Sequence, residues 1–219
     1  GSADFLEEAG VSLSLKPAEI AQCIEEVGIG FMFAPSHHSA MKHVIGPRKE
    51  IGQKSIFNIL GPLTNPASAK RQLMGVYDKK WMLPIAQVLK ELGSEHLLIV
   101  HSEDGLDEIS IAAPTSVVEM KKGTITEFQI CPEDFGFETS SLGGLEANSP
   151  EQSLQIANLA LCGEHKEASA MVAMAAGAAL YISDISDSLD SGVELAKDCI
   201  KEGGGSSKLN ELIDFSSKF

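Results

Sequence analysis

The sequence predicts an α/β protein with a mixed, mostly parallel central sheet flanked by helices, and three observations carry that reading. The stretch 72–100 reads as strand, helix and strand, which is a βαβ unit and implies parallel pairing. Residues 108–112, 116–120 and 124–130 read as shorter strands, the last two joined by a Lys-Lys-Gly hairpin, so the sheet is mixed on that side. Finally, residues 149–161, 164–183, 187–202 and 206–215 are helical in pattern and supply the flanking layer.

Element by element, the chain opens with a helix end at 5–9 stopped by Gly10. Pro17 then stands at a first helical position, with Ile20, Ile24 and Val27 at helical spacing up to Gly28. Residues 30–35 (GFMFAP) form a short apolar strand candidate. Residues 39–51 are helical in character but interrupted at Gly46-Pro47, and 55–60 form a second short helix closed by Gly61-Pro62. Strand 72–77 follows, Asp78 caps a helix over 79–92, Gly93 stops it, and the apolar run of 96–100 is the next strand. Gly203-Gly-Gly-Ser-Ser207 reads as a helix C-cap followed by a serine N-cap rather than a phosphate loop, because no strand precedes it. The small-residue helix at 170–179 indicates close packing around Gly177, and the lone Trp81 is expected to pack half-buried.

Composition narrows the function classes. A formal net charge of −14 argues against a general nucleic-acid or anionic-membrane surface, which needs a basic face. Within this acidic chain Lys42, His43, Arg48, Lys49 and Lys54 form a positive island of the kind an anionic substrate requires. The four cysteines, Cys23, Cys131, Cys162 and Cys199, are scattered without metal spacing, which indicates reduced thiols and a cytoplasmic protein. The longest apolar stretch, 168–182, is too short to span a bilayer.

The strongest chemical signal is HSEDGLDEIS, 101–110. It follows a buried strand and presents Asp104, Asp107 and Glu108 at that strand's carboxyl end, where ligands of open α/β sheets bind. Asp107 and Glu108, read as neighbours in an extended segment, point to opposite sides, which suits metal and water ligation better than a proton-sharing dyad. Hard oxygen ligands of this kind suit Mg²⁺, and bound Mg²⁺ suits a phosphate or diphosphate. Arg48 offers planar, bidentate donation to a carboxylate or phosphate. His37-His38 lacks a carboxylate to complete a metal set and reads as a packing or positional pair.

HHSAMKHVIGPRKEIGQKSIFNILGPLTNP (37–66) and HSEDGLDEIS closely resemble the anthranilate phosphoribosyltransferase family. GSADFLEEAG at the start, PEDFG (132–136) and AAGAALY (175–181) resemble it as well. The resemblance implies a nucleoside phosphorylase/phosphoribosyltransferase class III-like fold. Residues 1–37 and 65–219 would form the large α/β domain, and 38–64 a segment of the small helical domain, both incomplete. It implies transfer of phosphoribosyl from phosphoribosyl diphosphate to the amine of anthranilate, in tryptophan biosynthesis, with Mg²⁺ as cofactor and a homodimer as the family assembly. Position by position, Asp107 and Glu108 match the metal ligands and Arg48 the anthranilate-carboxylate ligand. Ser2 matches a serine of the phosphoribosyl diphosphate site, and His38 and Pro62 match positions along the anthranilate channel. No covalent nucleophile or strong general base is implied. The chain departs from the family pattern at Ser39, Gly46-Pro47 and Ala175. The family's Gly-rich phosphate loop is expected upstream of Gly1, so these 219 residues correspond to a C-terminal fragment expected to be inactive alone. A pyrimidine nucleoside phosphorylase, or a non-catalytic nucleic-acid-binding paralogue of the same fold, is the alternative.

Overall fold

In the computed structural model, residues 2–37, 61 and 63–219 are described. His38, Arg48, Pro62 and the expected helices 39–51 and 55–60 lie outside them. Helix α1 (Ser2–Glu8) gives way to Gly10 at φ +96°, as expected. Helix α2 (Pro17–Val27) has proline in its first turn, and Glu19 accepts a bond from the Lys16 amide at 2.7 Å. Gly28, left-handed at φ +90°, closes it. The strand expected over 30–35 is absent. The chain forms the single turn α3 (Ala34–His37) there, since Pro35 has no N–H to give a ladder but fits a first helical turn.

The sheet runs β1 (Arg71–Gly75), β2 (His96–Ser102), β3 (Thr115–Lys121), β4 (Thr124–Ile130), in that spatial order. β1 and β2 are parallel, with Arg71 opposite His96 and Gly75 opposite Val100, while β2–β3 and β3–β4 are antiparallel. The mixed α/β class expected from sequence is therefore present. Among the described residues, however, one pairing is parallel and two are antiparallel, so the sheet is not the mostly parallel one expected: the two hairpin-like connections after β2 reverse the chain. Between β1 and β2, the Asp78 carboxylate accepts from the Lys80 amide at 3.1 Å and starts a 3₁₀ turn, Lys79–Trp81, that continues as α4 (Met82–Glu91). Lys122 and Gly123 turn the β3–β4 hairpin with φ +50° and +79°, the pair of positive angles that a two-residue hairpin loop needs.

The second expected strand that fails is 108–112. Its alternating apolar residues Ile109 and Ile111 are buried, but side chains meet its amide donors. Ser110 N donates to Thr115 Oγ1 (3.1 Å) and Ala112 N to Ser110 Oγ (2.9 Å). The period-2 pattern records burial on one side, without a neighbouring strand to pair with.

Four helices follow: α5 (Pro150–Leu161), α6 (Lys166–Ile182), α7 (Leu189–Lys201) and α8 (Gly204–Ser216). Gly203, at φ +76°, closes α7 as expected, but α8 restarts at once, so Ser206 lies inside the helix and caps nothing. Among the described residues no helix is long and apolar enough to cross a membrane.

Two cores sandwich the sheet. On one face Leu98, Val100 and Val117 pack against Ala170, Ala173, Met174 and Ala178 of α6, backed by Val193 and Ala196 of α7. On the other, Met74, Leu97, Ile99 and Val118 pack against Met82, Ile85, Ala86 and Leu89 of α4, with Trp81 half-buried beside them. β2 is covered on both sides, which is why its sequence is a continuous apolar run.

At the amino end of β2 a polar cluster ties this sandwich together. Glu119 Oε1 accepts from His96 Nε2 at 2.7 Å and from the Tyr181 hydroxyl at 2.8 Å, and Lys121 Nζ donates to that hydroxyl at 3.3 Å. Because a carboxylate only accepts, His96 Nε2 carries a proton. Burial, then the hydrogen bond to Glu119 and its charge, push the Tyr181 phenol up from 10.0 to about 12. A raised phenol stabilises the fold fully below pH 10, and that contribution disappears as pH rises through about 12. Tyr181→Phe is expected to cost about 1 kcal/mol in urea unfolding at pH 7. It should also flatten the stability loss across that alkaline window. Equal alkaline losses in both proteins would contradict the assignment.

Candidate functional site

The site is built on the turn that leaves the carboxyl end of β2. Gly105 takes φ +94°, a conformation that suits glycine, and lets the chain double back. Ser102 N donates to Leu106 O at 2.9 Å, Gly105 N to Ser102 O at 3.0 Å, and Glu103 N to Pro114 O at 3.0 Å. Asp104, grouped by its sequence with Asp107 and Glu108, has a different task. Its carboxylate accepts from the Ser110 hydroxyl and, at 3.0 Å, from the Leu106 amide. Burial pushes the Asp104 carboxyl up, but the bonds from Ser110, Leu106 and Ser102 outweigh it and hold it below the ordinary carboxylate range. Asp104 is thus part of the turn's frame.

Asp107 and Glu108 are the carboxylates left over. Both are exposed, and among the described residues no hydrogen bond or ion pair engages either one. They lie in a bend rather than the extended segment expected, so the opposite-faces argument does not apply to them. Glu108 keeps a solvent-facing surface, yet neighbouring protein atoms desolvate it. That desolvation, then the adjacent charge of Asp107, push its carboxyl above the ordinary range. A pair strained in this sense gains from a cation. Among the described residues, no group of three or more His, Cys, Asp or Glu side chains assembles to hold a metal. The two carboxylates of Asp107 and Glu108 by themselves would suit Mg²⁺, which keeps several waters and takes one or two carboxylates plus substrate phosphates.

The platform beneath the turn is the end of β1. A Cβ built on Gly75 would lie 1.6 Å from the Asp107 carbonyl oxygen and 2.6 Å from its carbonyl carbon, so the Asp107 backbone occupies the space of a side chain. On the neighbouring strand His101 Nδ1 donates to Val76 O at 2.9 Å, so Nδ1 carries a proton. Neither residue stands out in the sequence as a site residue. The GV pair is ordinary strand composition, and His101 looks like one more polar residue at a strand end.

Of the other residues singled out from sequence, Ser2 is exposed at the start of α1, and no hydrogen bond among the described residues joins it to Asp107 or Glu108. Arg48, His38 and Pro62 lie outside the described residues. His37 ends α3, half-buried.

Known proteins resemble the chain along its length. The anthranilate phosphoribosyltransferase of Marinomonas sp. (strain MWYL1) is 54% identical over 221 residues, covering 100% of this chain and 64% of its own length. That of Ectopseudomonas mendocina (strain ymp) is 53% identical over 224 residues, with 100% and 64% covered. Among solved structures, anthranilate phosphoribosyltransferase from Thermus thermophilus superposes with a TM-score of 0.91 at 39% identity, covering 99% of this chain and 64% of that one. The Saccharomyces cerevisiae enzyme in complex with PRPP and Mg superposes with a TM-score of 0.89 at 26% identity, covering 100% and 63%. The chain therefore spans a little under two thirds of the length of these relatives. Their names do not favour the phosphorylase or nucleic-acid-binding alternatives. The sequence model described as "Glycosyl transferase family, a/b domain" matches residues 1–206, and the chain belongs to that family.

Proposed function

We propose that the chain carries the metal-binding side of a phosphoribosyl transfer, from phosphoribosyl diphosphate to the amine of anthranilate. The observation that carries this reading is the pair Asp107 and Glu108. They are exposed, unengaged among the described residues, and set at the carboxyl end of a sheet whose fold is that of anthranilate phosphoribosyltransferases. Asp107 and Glu108 would hold Mg²⁺, which neutralises a departing diphosphate when bound. As the bond from the anomeric carbon to diphosphate breaks, positive charge grows on the ribose and negative charge on the departing diphosphate, which a cation held by the two carboxylates would neutralise. Arg48 is the residue we assign to the anthranilate carboxylate, holding the amine towards that carbon. Ser2 is assigned to phosphoribosyl diphosphate, and His38 and Pro62 to the anthranilate channel. In the same reading residues 38–64 cross into a small helical domain while 1–37 and 65–219 form the α/β domain, the assembly is a homodimer, and the reaction is cytoplasmic.

A chimaera tests the proposal: these 219 residues replace the matched segment of the Marinomonas relative. Anthranilate fluorescence should disappear with phosphoribosyl diphosphate and Mg²⁺ at a rate within about tenfold of the parent enzyme. A chimaera that folds like the parent but turns nothing over would refute it. In the same assay Arg48→Ala should raise the KM for anthranilate by at least about tenfold, since a lost charge-assisted bond costs roughly 1.5–3 kcal/mol. The KM for phosphoribosyl diphosphate should stay nearly constant. Equal losses for both substrates would point instead to a phosphate-side role for Arg48.

A further inference from the structure

Resting on that metal reading, we propose that the carboxyl end of β1 is the positioning element of the acidic turn, with Gly75 and His101 the positioning residues that set Asp107 and Glu108. The contacts form a closed circuit. Val76 N bonds Val100 O at 3.0 Å, and His101 Nδ1 donates back to Val76 O at 2.9 Å. Ser102, the next residue, donates through its amide to Leu106 O at 2.9 Å and closes the turn. Asp107, the residue after Leu106, returns to β1 by seating its carbonyl where a Gly75 side chain would stand, 1.6 Å from the Cβ position.

The need for glycine at 75 is steric alone. Gly75 is not among the positive-φ glycines, so no left-handed backbone calls for glycine there. What excludes a side chain is a backbone carbonyl, which no rotamer change moves away. His101 acts from the other flank. Its bond to a main-chain carbonyl fixes the ring and ties the first residue of the turn motif to the strand on which Asp107 rests. Neither residue needs to touch an ion. Groups that orient ligands in this way govern metal affinity, typically by about 10- to 100-fold.

The experiment uses the chimaera and measures Mn²⁺ affinity by electron paramagnetic resonance with phosphoribosyl diphosphate present, and amide hydrogen exchange across 102–109. His101→Leu removes the bond to Val76 and should weaken Mn²⁺ about tenfold. It should also speed exchange at Ser102 and Gly105. His101→Asn presents an amide N–H near the former Nδ1 and should restore most of both. Tyr181→Phe, at the opposite end of the sheet, should lose stability without changing either readout. Gly75→Ala should lose about 100-fold in Mn²⁺ affinity. If that variant does not fold, the His101 pair decides. Wild-type Mn²⁺ affinity in His101→Leu, or a loss that Tyr181→Phe reproduces equally, overturns the inference. An unsubstituted chimaera that binds no Mn²⁺ overturns the metal reading as well.

Discussion

Replacing Glu108 by Gln or Asp107 by Asn is expected to cut phosphoribosyl transfer in the chimaera by about 10³-fold, equivalent to roughly 4 kcal/mol of lost transition-state stabilisation. Diphosphate is a poor leaving group until its charge is neutralised, and no lysine or arginine makes an ion pair with either carboxylate among the described residues. The loss should appear in kcat and in Mn²⁺ affinity together. Stability of the metal-free protein should move the other way. Desolvation and the charge of Asp107 already disfavour an ionised Glu108, so a neutral amide at either position removes repulsion without breaking any bond among the described residues. The diagnostic pattern is therefore a large drop in turnover with an unchanged or higher Tm. A Tm that falls in step with activity would mean the carboxylates support the turn, as Asp104 does, and hold no ion.

Gly177→Ala is expected to lower stability by at least about 2 kcal/mol, which in a chain of this size shifts Tm by roughly 4–8 °C. Two effects oppose one another. Alanine is better than glycine in a helix interior by about 1 kcal/mol. Against that, a Cβ on Gly177 would lie 2.5 Å from the Val193 amide nitrogen and 2.5 Å from its Cγ2, and a Cβ on Gly192 would lie 2.4 Å from the Gly177 carbonyl oxygen. The two helices meet backbone to backbone at this crossing, so relief requires α7 to move away from α6. Val193 and Ala196, which back the α6 core, would move with it. The steric cost wins. Calorimetry on the variant checks this, and a Tm equal to or above that of the wild type would show that the helices separate at no cost.

How much of this was readable in advance depends on the range of the interaction. The βαβ unit, the 115–121/124–130 hairpin and the four late helices rest on local periodicity, caps and turn residues, and all were legible. Residues 30–35 and 108–112 misled because an apolar or alternating segment reports burial, whereas a strand also needs a neighbour with which to pair. Asp104 illustrates the same limit within the site. Four acids stand close together in the sequence; Gln129 engages Glu103, and only the bonds from Ser110 and Leu106 separate the framing carboxylate of Asp104 from the two that remain unengaged.

The sequence by itself determined the α/β class and singled out the acidic turn after β2, with Asp107 and Glu108 as the residues to watch, because strand patterns and charged turns are encoded within a few residues. Only the tertiary structure decided how that pair is held. Gly75 is 32 positions from Asp107, is not at positive φ and carries no polar group, so nothing local marks it. Its role arises when a parallel strand brings its missing side chain under a carbonyl from the next strand's turn. That is a contact between surfaces, and it comes into being only when the chain has folded.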